Sequence, residues 1–178
     1  TRYDSKEGRD IVEDWAAELQ TSAYWASSGL AVEKGAFPLF DVDAFSKCDT
    51  FRMLPLLLQQ TIKKTGLRNG LLTSIAPTGT ISLLADNVSS GIEPIFALEY
   101  TRKVREKDET KREEVVSDYA VRLFRDGHDV NLPDYFVTAQ DISPESHVLM
   151  QAVVQKYIDS AISKTINVSD GTTFTEFM

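Results

Sequence analysis

Apolar residues recur at helical spacing through the opening of the chain. Ile11, Trp15, Leu19, Ala23, Ala26 and Leu30 lie three or four positions apart, which predicts one long amphipathic helix packed along that stripe. Asp4 or Ser5 supplies its N-cap, and Gly35 marks its end. Phe37-Pro38-Leu39-Phe40 reads as an extended connector, and Asp41 and Asp43 as turn residues. A second stripe, Leu54, Leu57, Leu58 and Ile62, closes with Lys63 and Lys64 in the last turn and stops at Gly66. The pattern then changes. Leu71 to Ile75 is a short apolar run of the kind a buried strand makes, broken by Pro77-Thr78-Gly79-Thr80 before apolar residues resume at Ile81.

Beyond this turn, Leu83, Leu84 and Ala85 suit a short helix, and Ile95 to Tyr100 alternates weakly, as a further strand would. Residues 101 to 114 mix basic side chains (Arg102, Lys103, Arg105, Lys107, Lys111, Arg112) with acidic ones, a composition that predicts a solvated, mobile loop. Val116, Tyr119, Ala120, Leu123 and Phe124 form one side of a third helix, ended by Gly127. Ser143-Pro144-Glu145 opens a fourth, with Leu149, Val153, Tyr157 and Ala161 on one face. Ser163 to Val168 alternates as a strand does. Strands separated by helices predict an α/β layout with parallel strands joined by crossovers, although periodicity alone does not say whether they close into a barrel.

Function rests mainly on the central turn. With a helix beginning just beyond it, Thr78, Thr80 and Ser82 fall in its first turn, where unpaired backbone N–H groups and hydroxyls can hold an anion such as phosphate. The same residues also suit a plain turn with a hydroxyl N-cap, Gly79 being chosen for backbone freedom. The Gly-Lys-Ser/Thr ending of a P-loop is missing, so nucleotide hydrolysis is not indicated. Ser89-Ser90-Gly91 can turn tightly against a ligand, and Glu93 either takes part in catalysis or locks the loop through backbone amides.

Charge narrows the partners. Nineteen basic against twenty-seven acidic side chains give a net charge of −8, which disfavours nucleic acid but leaves room for a small phosphorylated ligand bound by local amides. No apolar run approaches the roughly 20 residues of a membrane-spanning helix, and no signal peptide opens the chain. A cytoplasmic, membrane-free protein is expected. Cys48 is the sole cysteine; it excludes an intrachain disulfide, and with no neighbouring activator it reads as an inert loop thiol. His128 and His147 lie in different segments without metal-ligand spacing and read as surface residues, so no metal site is expected. Arg68 suits either a phosphate contact or a structural ion pair, and Trp15, Tyr24 and Trp25 are taken as core or partner contacts.

Ala76-Pro77-Thr78-Gly79-Thr80-Ile81-Ser82, followed by Asn87-Val88-Ser89-Ser90-Gly91-Ile92-Glu93-Pro94, closely resembles the large catalytic subunit of ribonucleotide reductases of the adenosylcobalamin-dependent class II type. Glu33-Lys34-Gly35-Ala36-Phe37-Pro38-Leu39-Phe40 and Ser163-Lys164-Thr165-Ile166-Asn167-Val168 extend the resemblance over nearly the whole chain. The resemblance implies the C-terminal part of a ten-stranded α/β barrel, residues 1–178 forming a single partial domain. It also implies that Pro77, Thr78, Gly79, Thr80, Ile81 and Ser82 bind the substrate's phosphates, and that Gly91, Ile92, Glu93 and Pro94 form an active-site loop.

In such reductases a thiyl radical on a central-loop cysteine starts replacement of the ribose 2′-hydroxyl by hydrogen, and two further cysteines supply reducing equivalents. Cys48 matches none of these, so the radical and redox cysteines are expected upstream of Thr1 or otherwise outside this piece. The chain alone is expected to be inactive. Thr173 and Glu176, spaced as a capping box near the end, likewise suggest a longer polypeptide. The implied substrate is a ribonucleoside diphosphate or triphosphate, with adenosylcobalamin as cofactor, an external dithiol such as thioredoxin as reductant, and a homodimer as the assembly. Iron-dependent class I relatives carry adjacent tyrosines where Ile166-Asn167 stand here. A class I large subunit and a non-catalytic phosphate-binding module are the alternatives.

Overall fold

The computed structural model describes residues 1–105, 111–128, 130–168, 173 and 175. Its elements are α1 (Lys6–Lys34), α2 (Val42–Phe45), α3 (Asp49–Met53), α4 (Leu56–Thr65), α5 (Gly79–Leu84), β1 (Glu99–Arg105), β2 (Lys111–Ser117), α6 (Tyr119–Arg125) and α7 (Pro144–Gln155). They fall into two compact units. One comprises Thr1–Gly8, Ala76–Leu149 and Ser163–Met178; the other comprises Arg9–Ile75 and Met150–Ile162.

The second unit is built on α1, α3 and α4. Tyr24, Phe51, Leu54, Leu58, Ile62 and Leu67 form its core, with Phe37, Phe40, Phe45 and Leu72 packed against it. Phe45 bridges the aromatic set, stacked on Tyr24 at 6.0 Å and edge-on to Phe51 at 5.5 Å. Gly66 ends α4 at φ +74°, with Ala36 Cβ only 2.7 Å from where its own Cβ would sit, so glycine is required there for both conformation and space. The predicted ends of α1 and α4 agree with the structure, and α4 begins two residues after Leu54.

The inward face of α1 is not the predicted one. Trp15, Leu19 and Leu30 are exposed, while Ala16, Gln20, Tyr24, Ser27, Ser28 and Ala31 are buried, a stripe displaced by about one residue. Polar pairing explains the displacement: Ser27 Oγ donates to Asn69 Oδ1 (3.0 Å) and accepts Asn69 N–H (3.1 Å), and Ser28 Oγ meets Thr65 Oγ1 at 2.6 Å. Asp41 does turn the chain, but as the N-cap of α2, its carboxylate accepting from the amides of Asp43 and Ala44. Cys48, likewise expected in a loop, is the N-cap residue of α3 and is exposed.

No strand forms at Leu71–Ile75 or at Ser163–Val168. A single parallel bridge joins Ile75 to Ile162, and Leu71 is exposed. Segment 71–75 is instead held by side chains. Asp159 accepts Leu72 N–H at 2.8 Å and the Tyr24 hydroxyl at 2.7 Å, while Thr73 Oγ1 accepts Asp159 N–H at 3.0 Å. Burial and the Asp159 hydrogen bond together raise the Tyr24 phenol well above its ordinary range.

The first unit holds the only sheet among the described residues, the antiparallel pair β1–β2, in register from Glu99↔Ser117 to Arg105↔Lys111. Residues 101–105 and 111–114 were expected as a charged mobile loop, and they are strands. Their mixed charge comes from cross-strand pairing, Lys103 facing Glu113 with 3.4 Å between charged atoms and Arg102 opposite Glu114. The part of the predicted loop at residues 106–110 lies outside the described residues. Strand β1 starts at Glu99, inside the predicted Ile95–Tyr100 segment. Among described residues the parallel, crossover-joined sheet expected from the pattern is therefore absent, and an antiparallel hairpin stands in its place.

Two helix faces also differ from expectation. On α6 the buried residue is Val121, while Leu123 is exposed; Val116 belongs to β2. On α7, Leu149 is exposed and His147 is fully buried, with Met150 and Val154 buried farther along. Asp118 caps α6 by accepting Ala120 N–H at 2.8 Å. No described helix is long and apolar enough to cross a membrane.

Candidate functional site

The turn after Ala76 forms as a tight entry into α5, although the strain lies one residue earlier than expected. Thr78 has φ +44° and Gly79 does not have a positive φ. A β-branched residue in this region is rare and costs on the order of 1–3 kcal/mol, so it persists only where neighbours hold it. One neighbour does: Thr78 Oγ1 accepts Gly91 N–H at 3.0 Å. That bond joins the turn to the second motif, and Gly91 is itself at φ +57°.

The three hydroxyls of the turn are not equivalent. Ser82 Oγ donates its proton to Gly79 O at 2.7 Å. Thr78 accepts from Gly91 and keeps its own proton available. Thr80 is exposed, and its hydroxyl has no partner among the described residues. A Cβ built on Gly79 would meet nothing within 4 Å, leaving the backbone open to close approach. The amides of Gly79, Thr80 and Ile81 open the helix, where no carbonyl of α5 can accept them.

Gly79, Thr80 and Ser82 line a cavity of about 540 Å³ together with Ser89, Ser90, Glu93 and Pro94. Asn87, Tyr100 and Asp118 also line it, with Leu83, Val88, Ile95, Phe96 and Ala97. Of the ten candidate residues, Gly79, Thr80, Ser82, Glu93 and Pro94 face this cavity, whereas Pro77, Thr78, Ile81, Gly91 and Ile92 lie outside its lining. Asn87, at φ +60°, was not singled out by sequence; it accepts from the Tyr100 hydroxyl (3.1 Å) and donates to Ser117 O (3.2 Å). Its position in a polar turn between two apolar runs was the available signal.

Glu93 is anchored on both its backbone and its side chain. Its N–H donates to Ser90 O at 3.1 Å, its carbonyl accepts from the Ser89 hydroxyl, and Oε1 accepts Thr165 N–H at 2.8 Å. The backbone-amide partner is the loop-locking arrangement considered for this residue. Arg68, the other candidate phosphate ligand, directs Nη1 toward Gly35 O at 3.5 Å. Among described residues no group of three His, Cys, Asp or Glu side chains is placed to share a metal ion.

A buried polar cluster lies behind the loop. His147, expected on the surface, is fully buried, its Nε2 3.0 Å from Ala139 O and its Nδ1 without a partner among the described residues. Lys164 Nζ is likewise buried and unpartnered among them, 5.4 Å from the centre of the Tyr3 ring. Burial lowers the Lys164 pKa against the pull of Glu93. Burial also lowers that of His147, opposed by the Ala139 carbonyl and by Glu93 and reinforced by Lys164.

The unfolded chain takes up a proton near the ordinary imidazole value while folded His147 resists it, so the stabilisation present above about pH 6.5 is lost as pH falls below it. Melting temperature is expected to drop between pH 7.5 and 5, and His147→Gln is expected to flatten that drop. Equal slopes for the two proteins would contradict it.

Gly79, Thr80 and Ser82 of the turn thus share one cavity with Glu93 and Pro94 of the second motif. Residues 1–178 match the family profile described as "Ribonucleotide reductase, barrel domain". The chain belongs to the ribonucleotide reductase family and carries part of that barrel domain. It is 35% identical to the vitamin B12-dependent ribonucleoside-diphosphate reductase of Thermoplasma acidophilum over 96% of its own length and 22% of that protein. It is 33% identical to the enzyme of the same name from Mycobacterium tuberculosis over 93% of this chain and 24% of that one. Against the ribonucleoside-diphosphate reductase 1 subunit alpha of Escherichia coli the identity is 29%, over 93% and 22%. The chain thus spans about a quarter of the length of these relatives.

Proposed function

We propose that the chain is a single partial domain, the C-terminal part of the ten-stranded α/β barrel of an adenosylcobalamin-dependent ribonucleotide reductase. In this reading Pro77, Thr78, Gly79, Thr80, Ile81 and Ser82 hold the phosphates of a ribonucleoside di- or triphosphate, and Gly91, Ile92, Glu93 and Pro94 form an active-site loop. The observation that carries the reading is the shared cavity, lined by Gly79, Thr80 and Ser82 of the turn and by Glu93 and Pro94 of the second motif.

The reaction breaks the C2′–O bond of the ribose and forms a C2′–H bond. The oxygen leaves as water, and two thiols are oxidised to a disulfide that an external dithiol reduces again. Cys48, exposed at the start of α3, is not assigned to this chemistry. The radical and redox cysteines are assigned to parts of the enzyme outside this chain. This chain's contribution is positional: Thr80 Oγ1 and the open amides hold the phosphate end, which fixes where the sugar lies.

In this proposal adenosylcobalamin, when bound to the complete enzyme, would supply the radical chemistry. The 33–35% identity to the vitamin B12-dependent enzymes of Mycobacterium tuberculosis and Thermoplasma acidophilum, against 29% to the Escherichia coli subunit alpha, supports that choice over class I, as does Ile166-Asn167 where a tyrosine relay would stand. The cavity at α5 is lined by hydroxyl-bearing residues and Glu93 together with Leu83, Val88, Ile95 and Phe96, and its volume of about 540 Å³ suits a nucleotide rather than a corrin macrocycle. These residues do not fit the cofactor. A cytoplasmic homodimer served by a dithiol such as thioredoxin completes the reading.

The test is turnover in a protein of the relatives' full length that carries this chain. Ribonucleotide, dithiol and adenosylcobalamin together are expected to give deoxyribonucleotide, and omission of the cobalamin is expected to abolish it. Turnover dependent on a second, iron-bearing subunit would favour class I instead, and phosphate binding without turnover would favour a non-catalytic module.

A further inference from the structure

The Gly91–Pro94 loop is fixed through three separate segments of the first unit. Gly91 N–H donates to Thr78 Oγ1 of the turn (3.0 Å), and the Glu93 carboxylate accepts Thr165 N–H (2.8 Å). The third tie comes from the start of the chain, where the Tyr3 hydroxyl donates to Ile92 O at 2.6 Å. Gly91 sits at positive φ, so the backbone between the first and last ties has unusual freedom. The Ile92 carbonyl thus takes its donor from a segment distant in sequence, whereas the adjoining Glu93 carbonyl accepts from the neighbouring Ser89 hydroxyl.

Tyr3 is built to hold that position. Its ring lies 6.4 Å from the buried His147 ring and 5.4 Å from Lys164 Nζ. Its backbone is fixed on both sides. Ser5 Oγ donates to Arg2 O at 2.8 Å and accepts Gly8 N–H at 2.9 Å, and Arg2 pairs with Asp4 and donates to Asp134 O. Gly8 leaves room for this fold-back, since a Cβ there would stand 2.3 Å from Arg2 O. Burial, reinforced by the charge of Glu93, keeps the phenol protonated and therefore a donor.

We propose that Tyr3 is a positioning residue for the reaction: its hydroxyl fixes the Ile92 carbonyl and thereby sets Glu93 in the wall of the substrate cavity. This rests on the reading of that cavity as the ribonucleotide site. Tyr3→Phe keeps the ring, its packing beside His147 and its face toward Lys164, and removes only the donor.

The experiment compares wild type, Tyr3→Phe, Glu93→Gln and the double variant in the full-length protein. Backbone hydrogen exchange at Gly91 and Thr165, the two amides tied within this arrangement, is expected to speed up about five- to tenfold in Tyr3→Phe, the loss of one hydrogen bond. Turnover is expected to fall by a similar factor, mostly in kcat. On the Glu93→Gln background the same change is expected to add less than twofold, because Tyr3 acts through Glu93. A purely structural role would lower melting temperature and add its full effect on both backgrounds, which overturns the proposal, as would unchanged exchange at both amides. Wild-type protein that neither binds nor reduces ribonucleotides overturns the functional reading itself, and the inference with it; normal wild-type turnover with an unaffected Tyr3→Phe overturns the inference alone.

Discussion

Thr80→Val combined with Thr78→Val, in a full-length reductase carrying this chain, is expected to weaken ribonucleotide binding by about two to four orders of magnitude. Each hydroxyl can donate to a phosphate oxygen, and a hydrogen bond to a charged group contributes about 1.5–3 kcal/mol. The two sites differ. The Thr80 hydroxyl has no partner among the described residues, so Thr80→Val removes a ligand contact and is expected to leave stability unchanged. Thr78 also accepts Gly91 N–H at 3.0 Å and sits at φ +44°. Thr78→Val therefore removes the tie between the two motifs as well, and its effect on binding will not add simply to that of Thr80→Val. Titration calorimetry with a ribonucleoside diphosphate reads the loss. Affinity within about twofold of wild type for the double variant would remove this turn from the binding site.

The largest expected effect on stability is at Asp159. Asp159→Ala leaves the Tyr24 hydroxyl, on a side chain 3% exposed, and the Leu72 amide without their acceptor. Orphaning two donors, each bonded to a carboxylate, is expected to destabilise by about 3–5 kcal/mol. Urea denaturation of this chain gives the value directly. Tyr24→Phe removes one of the donors beforehand, so Asp159→Ala on that background is expected to cost about half as much. A full-sized loss on both backgrounds would mean that the Tyr24–Asp159 bond contributes little.

These two sites show what the sequence displays and what it conceals. Helix ends are readable because they depend on local chemistry: Ser5 accepts Gly8 N–H at 2.9 Å before α1, and Gly66 takes up φ +74° after α4. Helix faces are less readable where polar residues are buried in pairs. Ser27 with Asn69 and Ser28 with Thr65 turn α1 so that Trp15, the most conspicuous apolar residue of the predicted stripe, is exposed. Hydropathy treats those serines as surface.

Strands failed for a related reason. Leu71–Ile75 has the apolarity of a strand, yet Asp159 and Thr73 take over the hydrogen bonding that a neighbouring strand would supply. Between β1 and β2 the error ran the other way, since alternating charge that looked like solvated loop is the cross-strand pairing of Lys103 with Glu113. Within the site, the motifs located the turn and Glu93, whereas Tyr3 and Thr165 are 90 and 72 positions from Glu93 and carry no local signature. His147 was misread because a lone histidine on a helix shows nothing of its burial until the helix face is known.

Whether the turn at Pro77–Ser82 holds the phosphates of a ribonucleotide is read from a crystal structure of the full-length protein with a bound ribonucleoside diphosphate. Phosphate oxygens are expected within hydrogen-bond distance of Thr80 Oγ1 and the amides of Gly79, Thr80 and Ile81, with the ribose in the cavity beside Glu93. Phosphates bound elsewhere, with this turn facing solvent, would contradict it.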